Sequence, residues 1–242
     1  MVGSGGISSV LKRSFDLALA VPALLVTGPV ILALGAAVRA TSPGPAFFVQ
    51  KRLGRGKRPI LLYKLRTMRS DAPGTGPAVT AAGDPRVTTL GRLLRATKLD
   101  ELPQLWNVVR GDMSLVGPRP EVERYVAGYR PEWAALFSVR PGITDAASLV
   151  FRDEEALLAE AADRERAYVE AIVPIKARLA LEGVARQSLL HDLGVLVRTA
   201  TSVLTGPPVD HPALAVARRA IAALGSGKNG AGAGARASRE SA

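Results

Sequence analysis

Leu17-Ala-Leu-Ala-Val-Pro22-Ala-Leu-Leu-Val-Thr27-Gly28-Pro29-Val-Ile-Leu-Ala-Leu-Gly-Ala-Ala-Val38 is a run of twenty-two residues without a charge. A helix needs about 20 apolar residues to cross the hydrocarbon core of a bilayer, so this run is long enough. Lys12-Arg13 precede it, and the stretch 39–69 after it holds nine Lys/Arg and no acid. The positive-inside rule places both flanks on the cytoplasmic side, which one straight span cannot satisfy. Proline removes an amide donor and kinks a helix, and glycine eases the bend. Gly28-Pro29 lies at the middle of the run, with Pro22 upstream. The run therefore reads as a re-entrant helix broken at Gly28 and Pro29, with a kinked single span as the alternative. A secretory signal has a shorter apolar core and leads into a different kind of chain.

The rest of the composition agrees with a membrane protein. Hydrophobic residues make up 48% of the 242 residues, with 22% charged. There is no cysteine, which excludes a disulfide framework and a thiolate zinc site. The two histidines, His191 and His211, are too few for a histidine-built metal centre, so any metal is Mg²⁺ or Mn²⁺ on carboxylates. The net charge is +11, and residues 1–69 carry most of it, with eleven Lys/Arg against the single acid Asp16. Basic residues packed beside an apolar run point to anionic lipid headgroups. Aromatics are only 5% and do not interleave with the basic run, so nucleic acid is not expected as a partner.

Working outward, the chain divides into four parts. Residues 1–11 read as a disordered N-terminus and 12–40 as the re-entrant membrane helix. Residues 41–206 read as a cytoplasmic catalytic domain, and 207–242 as a largely disordered tail, Gly/Ala/Ser-rich from Gly225. The fold class is α+β: small β elements and membrane-surface amphipathic helices around a central helix. Short strands are expected at 46–50 and 60–66, about the turn Gly54-Arg-Gly56. Residues 70–85 are too long for a simple connector and read as a mobile flap. A helix is expected over 87–98, and another over 121–136. Residues 152–172 read as a helical, solvated face. Lys176–Leu204 carries the stripe Leu189, Leu193, Leu196, Val197, Ala200 and Leu204, which is either core packing or a helix lying on a membrane.

The chemistry concentrates between Lys98 and Pro120. Leu99, Leu102, Leu105, Trp106 and Val109 recur at helical spacing and are expected inside. Asp100 and Glu101 fall off that stripe, toward solvent or a cleft. A carboxylate pair holds a hard cation, and one member can attack phosphorus. Taken alone the pair also fits helix capping, since Thr97-x-x-Asp100 has the spacing of a capping box. Arg119 is held between two prolines in Gly117-Pro-Arg-Pro120, and an arginine fork suits phosphate oxygens. Lys64 and Arg66 share one face of the second strand, which in isolation is equally a solvated face. Arg95 is a polar position of the 87–98 helix, and Arg140 sits in a further proline–glycine turn.

Seven segments in order then carry a resemblance. They are Lys12-Arg-x-x-Asp16, Ser42-Pro-Gly-Pro-x-x-Phe48, Gln50-x-Arg52-x-Gly54, Tyr63-Lys64-x-Arg66-Thr-Met68, Leu99-Asp-Glu-Leu-Pro-Gln-Leu-Trp-Asn107, Gly111-Asp-Met-Ser-Leu-Val-Gly-Pro-Arg-Pro120 and Arg140-Pro-Gly-Ile-Thr144. From about Lys12 to Leu204 the chain resembles the bacterial sugar transferases known as monotopic phosphoglycosyl transferases, which start exopolysaccharide and other glycan assembly. The resemblance implies an enzyme of the bacterial inner membrane with its active site on the cytoplasmic face and Mg²⁺ as cofactor. It would move a sugar 1-phosphate from a nucleotide diphosphate sugar, usually a UDP-sugar, to polyprenol (undecaprenyl) phosphate and release UMP. Asp100 would attack the β-phosphate to give a covalent phosphosugar intermediate. Glu101 would assist with Mg²⁺ or with the acceptor phosphate. Lys64, Arg66, Arg95, Arg119 and Arg140 would contact substrate phosphates. Downstream glycosyltransferases are the protein partners it implies.

Three positions depart from the family pattern. Gly28-Pro29 stands where Ser-Pro is common. The segment Asp145-Ala-Ala-Ser-Leu-Val-Phe-Arg152 replaces a glycine followed by a tryptophan- or glutamine-bearing stretch. Ala180 aligns loosely with a common aspartate. The competing class is a catalytically silent membrane-surface scaffold that binds anionic lipid or a partner glycosyltransferase. Such a scaffold needs only the basic face, whereas this chain holds Asp100, Glu101, Lys64, Arg95 and Arg119 together.

Overall fold

The computed structural model describes residues 8–72, 79–206 and 211–237. The apolar run lies inside one helix, α1 (Ser9–Thr41), which continues through Pro22 and Pro29. Two separate helices meeting at Gly28-Pro29 are not seen. Thr27 donates its hydroxyl to the Ala23 carbonyl at 2.7 Å, one of the ways a helix settles polar groups near a proline. Residues 9–11, expected to be disordered, form the first turn of α1, and Lys12 donates its amide to the Ser8 carbonyl.

After the turn at Ser42–Pro45, β1 (Phe47–Leu53) pairs antiparallel with β2 (Pro59–Leu65), with Phe47 opposite Leu65 and Leu53 opposite Pro59. A 3₁₀ turn at Arg55–Lys57 joins them, and Gly56 there takes the left-handed φ of 64°. Met68 bridges to Val87, which closes the base of the loop between them. Six residues of the expected flap, 73–78, lie outside the described residues. Then come α2 (Thr89–Thr97), a 3₁₀ turn (Leu99–Glu101) and α3 (Gln104–Arg110). Two three-residue strands, β3 (Ser114–Val116) and β4 (Gly142–Thr144), pair in parallel. Between them lie α4 (Glu123–Val126) and a 3₁₀ turn (Pro131–Phe137). The single helix expected over 121–136 is thus broken: Gly128 ends the first piece and Pro131 starts the second.

The remainder is helical: α5 (Ala146–Val150), α6 (Glu154–Ala159), α7 (Arg164–Ala167), a π-helical turn (Tyr168–Ile172), α8 (Val173–Ala185) and α9 (Leu189–Thr205). The segment expected as a solvated face contributes Leu157, Leu158, Tyr168 and Ile172 to the largest core cluster. The last helix, α10 (Pro212–Ala237), takes up most of the expected tail. Ala213, Ala217 and Ile221 recur every fourth residue and pack on that same core, so the alanine-rich stretch has a face to bury. Residues 207–210 and 238–242 lie outside the described residues.

Burial along α1 is periodic. Lys12, Asp16, Ala20, Ile31, Gly35 and Val38 are buried on one stripe, while Leu19, Leu25, Val26, Val30 and Leu32 are exposed on another. Ala20 packs with Leu105, Val108, Leu115 and Val195; Ile31 and Val38 pack with Leu65 and Leu94. Both ends of the helix therefore rest on the same folded body. On α9 the expected stripe divides: Leu193 and Val197 are exposed, Leu196 packs in part against the core, and Asp192, Val195 and Ser202 beside it are buried.

Candidate active site

Lys98 ends α2 in the left-handed conformation, φ 58°, and its amide reaches back to the Arg95 and Leu94 carbonyls. That turn redirects the chain so that the 3₁₀ turn carrying Asp100 and Glu101 points inward. Thr97 donates its hydroxyl to Leu93 at 2.8 Å and does not cap the next helix. The capping reading of the two acids is not realised. Instead Asp100 is only 6% exposed, and its Oδ1 has no hydrogen-bond partner. A buried, unpartnered carboxylate oxygen costs free energy unless something else uses it.

Glu101 is held from two sides. Lys64 donates to its Oε1 at 3.0 Å, and the Arg119 guanidinium donates to Oε2 at 3.0 Å and also to Oε1. Burial alone would raise the Glu101 pKa, but the Arg119 and Lys64 charges outweigh it and hold the carboxyl well below its usual range. Asp100 goes the other way: burial raises its pKa, the Glu101 charge adds to this, and Lys64, Arg95 and Lys98 oppose it. Burial also lowers the Lys64 pKa. Two neighbouring carboxyls with opposed shifts are a mark of a functional site.

Each cation has its own mount. Lys64 sits on β2, and the buried Asn107 side chain grips that strand by accepting from the Tyr63 amide at 3.2 Å and donating to the Leu61 carbonyl at 2.6 Å. Arg119 is fixed through the backbone on either side of it. Pro118 O accepts from the Gly142 amide at 3.0 Å, and Pro120 O accepts from Arg52 at 3.2 Å. The approach behind it is so close that a Cβ on Gly142 would lie 2.1 Å from the Gly117 nitrogen. Arg95 pairs with Glu155 and donates to the Thr67 hydroxyl at 3.2 Å. The departing segment is placed as well: Lys98 donates to the Arg152 carbonyl at 3.2 Å, and Asp145 caps α5 through the Ser148 amide at 2.7 Å.

Two of the expected phosphate contacts lie elsewhere. Arg66 is 5% exposed and spends its guanidinium on the carbonyls of Pro45, Ser42 and Met68, tying the end of α1 to β2. Arg140 donates to the Gly111 carbonyl at 3.0 Å and makes no contact with the acidic pair. Glu101 does not suit a metal ligand while Lys64 and Arg119 occupy both its oxygens. Of the two acids, Asp100 is the one with an oxygen left free for a hard cation. Among the described residues no group of three or more acids and histidines forms a protein-only cage. Sequence reasoning passed over Asn107 and Gln104. Both are fully buried, and neither amide atom of Gln104, one turn after Asp100, has a partner. The signal was available: polar residues inside an otherwise apolar helical stretch.

The family described as bacterial sugar transferase matches residues 7–206. A UDP-glucose:undecaprenyl-phosphate glucose-1-phosphate transferase of Caulobacter vibrioides is 39% identical over 199 residues, covering 80% of this chain and 70% of that protein. A UDP-N-acetylgalactosamine-undecaprenyl-phosphate N-acetylgalactosaminephosphotransferase of Aeromonas hydrophila is 34% identical over 203 residues, covering 83% of this chain and 45% of that protein. An exopolysaccharide production protein, PSS, of Rhizobium leguminosarum bv. phaseoli is 43% identical over 147 residues, covering 58% of this chain and 74% of that protein. With the match spanning most of its length, the chain belongs to the bacterial sugar transferase family.

Proposed function

We propose that this protein transfers a sugar 1-phosphate from a UDP-sugar to undecaprenyl phosphate, with Asp100 as nucleophile. The observation that carries the reading is the free, buried Oδ1 of Asp100 beside a carboxylate already saturated by Lys64 and Arg119. In the first displacement an Asp100 oxygen forms a bond to the β-phosphorus, the bond to the bridging oxygen breaks, and UMP departs with that electron pair. In the second, an oxygen of undecaprenyl phosphate attacks the same phosphorus and the Asp100 carboxylate is released. Splitting the transfer lets two bulky anions use one site in turn.

Glu101 stays ionised and acts through its neighbours, keeping Lys64 and Arg119 aimed at the phosphoryl oxygens. Arg95 and Lys98 add positive potential around Asp100. Mg²⁺, held through Asp100 and the donor phosphates, would supply charge neutralisation on the transferring group. The proposed setting is the cytoplasmic face of the inner membrane, with α1 entering and leaving on one side. Support comes from its two ends: Asp16 and Val38 both pack on one body. In a straight span they would be about 33 Å apart, more than the thickness of a bilayer core.

The test is UMP release from a panel of UDP-sugars with Mg²⁺ and undecaprenyl phosphate, alongside Asp100→Asn. Wild type should release UMP with one sugar and carry that sugar covalently when acceptor is withheld. Asp100→Asn should lose about 10³-fold or more in turnover, as removal of a nucleophile does elsewhere, and should carry no adduct. Normal turnover in Asp100→Asn would end the nucleophile assignment.

A further inference from the structure

Gln104 is wholly buried, and neither its amide nitrogen nor its amide oxygen has a hydrogen-bond partner among the described residues. Leaving two such groups unpaired inside a protein costs free energy and calls for a reason. We infer that Gln104 is a positioning residue for the nucleophile: with the UDP-sugar bound, its Nε2 donates to Asp100 Oδ1 and so turns Asp100 Oδ2 toward phosphorus. The inference rests on the Asp100 reading above.

The backbone sets the two side chains together. The 3₁₀ turn at Leu99–Glu101 runs through Leu102 (φ −52°, ψ −37°) and Pro103 (φ −60°, ψ −17°) into α3 without leaving helical angles. Asp100 and Gln104 are therefore about one turn apart, both on the inward side of this run, and glutamine with aspartate at that spacing is a favourable helix pair. Each has what the other lacks. Asp100 Oδ1 is a buried acceptor without a donor, and Gln104 Nε2 is a buried donor without an acceptor. Asp100 Oδ2 is not sealed off in this way, which leaves it as the attacking oxygen. One N–H on Oδ1 still leaves that atom a lone pair for a cation. Asn107, a turn further along α3, shows the other use of a buried amide. It spends both atoms on β2, accepting from the Tyr63 amide and donating to the Leu61 carbonyl. Gln104 has no such architectural duty. Its pair with Asp100 is open in this structure, and contacts of this kind commonly tighten only when substrate is bound. After the first displacement Oδ2 is bonded to phosphorus and Oδ1 is the carbonyl oxygen of the adduct. An N–H there draws electron density from the bond to be broken, so the second displacement returns the electron pair to a carboxylate already stabilised.

Gln104→Met keeps the length of the side chain and removes both polar atoms. The full chain in lipid nanodiscs is mixed with the UDP-sugar that wild type turns over, acceptor withheld, and the rate of UMP and adduct formation is followed in a single turnover. At saturating UDP-sugar the variant should be slower by about ten-fold to a hundred-fold, the range a hydrogen bond to a charged group is worth. The half-saturating UDP-sugar concentration should not change. Its melting temperature should equal or exceed that of wild type, because two unpaired polar atoms have left the interior. Gln104→Glu keeps the shape and exchanges the donor nitrogen for an acceptor, so it should lose at least as much rate. A wild-type rate of adduct formation in Gln104→Met overturns the inference and leaves the Asp100 reading standing. So does a clear fall in its melting temperature or a raised half-saturating concentration, because Gln104 would then be bracing β2 as Asn107 does. If Asp100→Asn turns over normally, or wild type turns over no UDP-sugar, the Asp100 reading has failed and this inference falls with it.

Discussion

Arg119 meets Glu101 through two of its nitrogens, a fork that lysine cannot reproduce. Arg119→Lys should therefore lower kcat/KM for UMP release by about ten-fold or more while melting close to wild type. Glu101→Gln tests the same cluster by pH. Its carboxyl is held below the usual range in the folded protein, so its stabilisation is present above the ordinary value of 4.5 and is lost as pH falls through the lower folded value. Thermal unfolding should find Glu101→Gln less stable than wild type by about 2 kcal/mol at pH 7, less than for a fully buried pair because Arg119 is partly exposed. The gap should close progressively below pH 4.5; a gap that persists unchanged in acid would mean the loss is steric. At this scale the sequence singled out Asp100, Glu101, Lys64 and Arg119 by residue type, and the fold sets Lys64 and Arg119 on Glu101 beside Asp100. Arg66 misled because a guanidinium serves backbone carbonyls as readily as phosphates, and spacing along a strand cannot tell the two apart.

Short elements carry the site, and close backbone contacts hold them. β3 and β4 are three residues each, yet Gly117 and Gly142 let them approach so tightly that no side chain fits between. Gly142→Ala should lower stability by about 3 kcal/mol, at the upper end of what overpacking costs, and should cut activity further by moving Arg119. A variant that melts and turns over like wild type would mean the strand pair yields freely. Such contacts join residues far apart in the chain, which is why the β3–β4 pairing was not legible in a local reading. Trp106 fails for a related reason. Helical spacing placed it inside, but it is 49% exposed, because spacing along one helix does not say which of its flanks another element covers. The break at Gly128–Pro131 could have been read from those two residues; the helical packing of Ala213, Ala217 and Ile221 depended on a core assembled from elsewhere.

For the molecule as a whole, the apolar run was legible as one long helix, apolar and long enough to cross a membrane. What only the packing reveals is that α1 is seated on the body near both ends, at Lys12, Asp16 and Ala20 and at Ile31, Gly35 and Val38, while leucines and valines such as Leu25 and Val26 between them are exposed. The absence of native cysteine makes the topology directly testable. Ser9→Cys and Thr41→Cys should both resist a membrane-impermeant maleimide in intact spheroplasts and both react once the membrane is opened. Labelling of either one from outside would favour the kinked span.

The Lys12 ammonium has a further consequence in time. It pairs with Asp16 at 2.7 Å and with Asp192 at 2.9 Å, and Asp16 in turn accepts from the Ser114 hydroxyl and the Leu115 amide. Synthesis runs from the N-terminus, so Lys12 and Asp16 leave the ribosome long before Ser114, and longer still before Asp192. During that interval the apolar run has already been made while the groups that bury its basic end do not yet exist. The final seat of the first helix is thus decided by nearly the last helix made. Nascent chains stalled before α9 should hold their N-terminal segment loosely, and chains released after it should hold it fast.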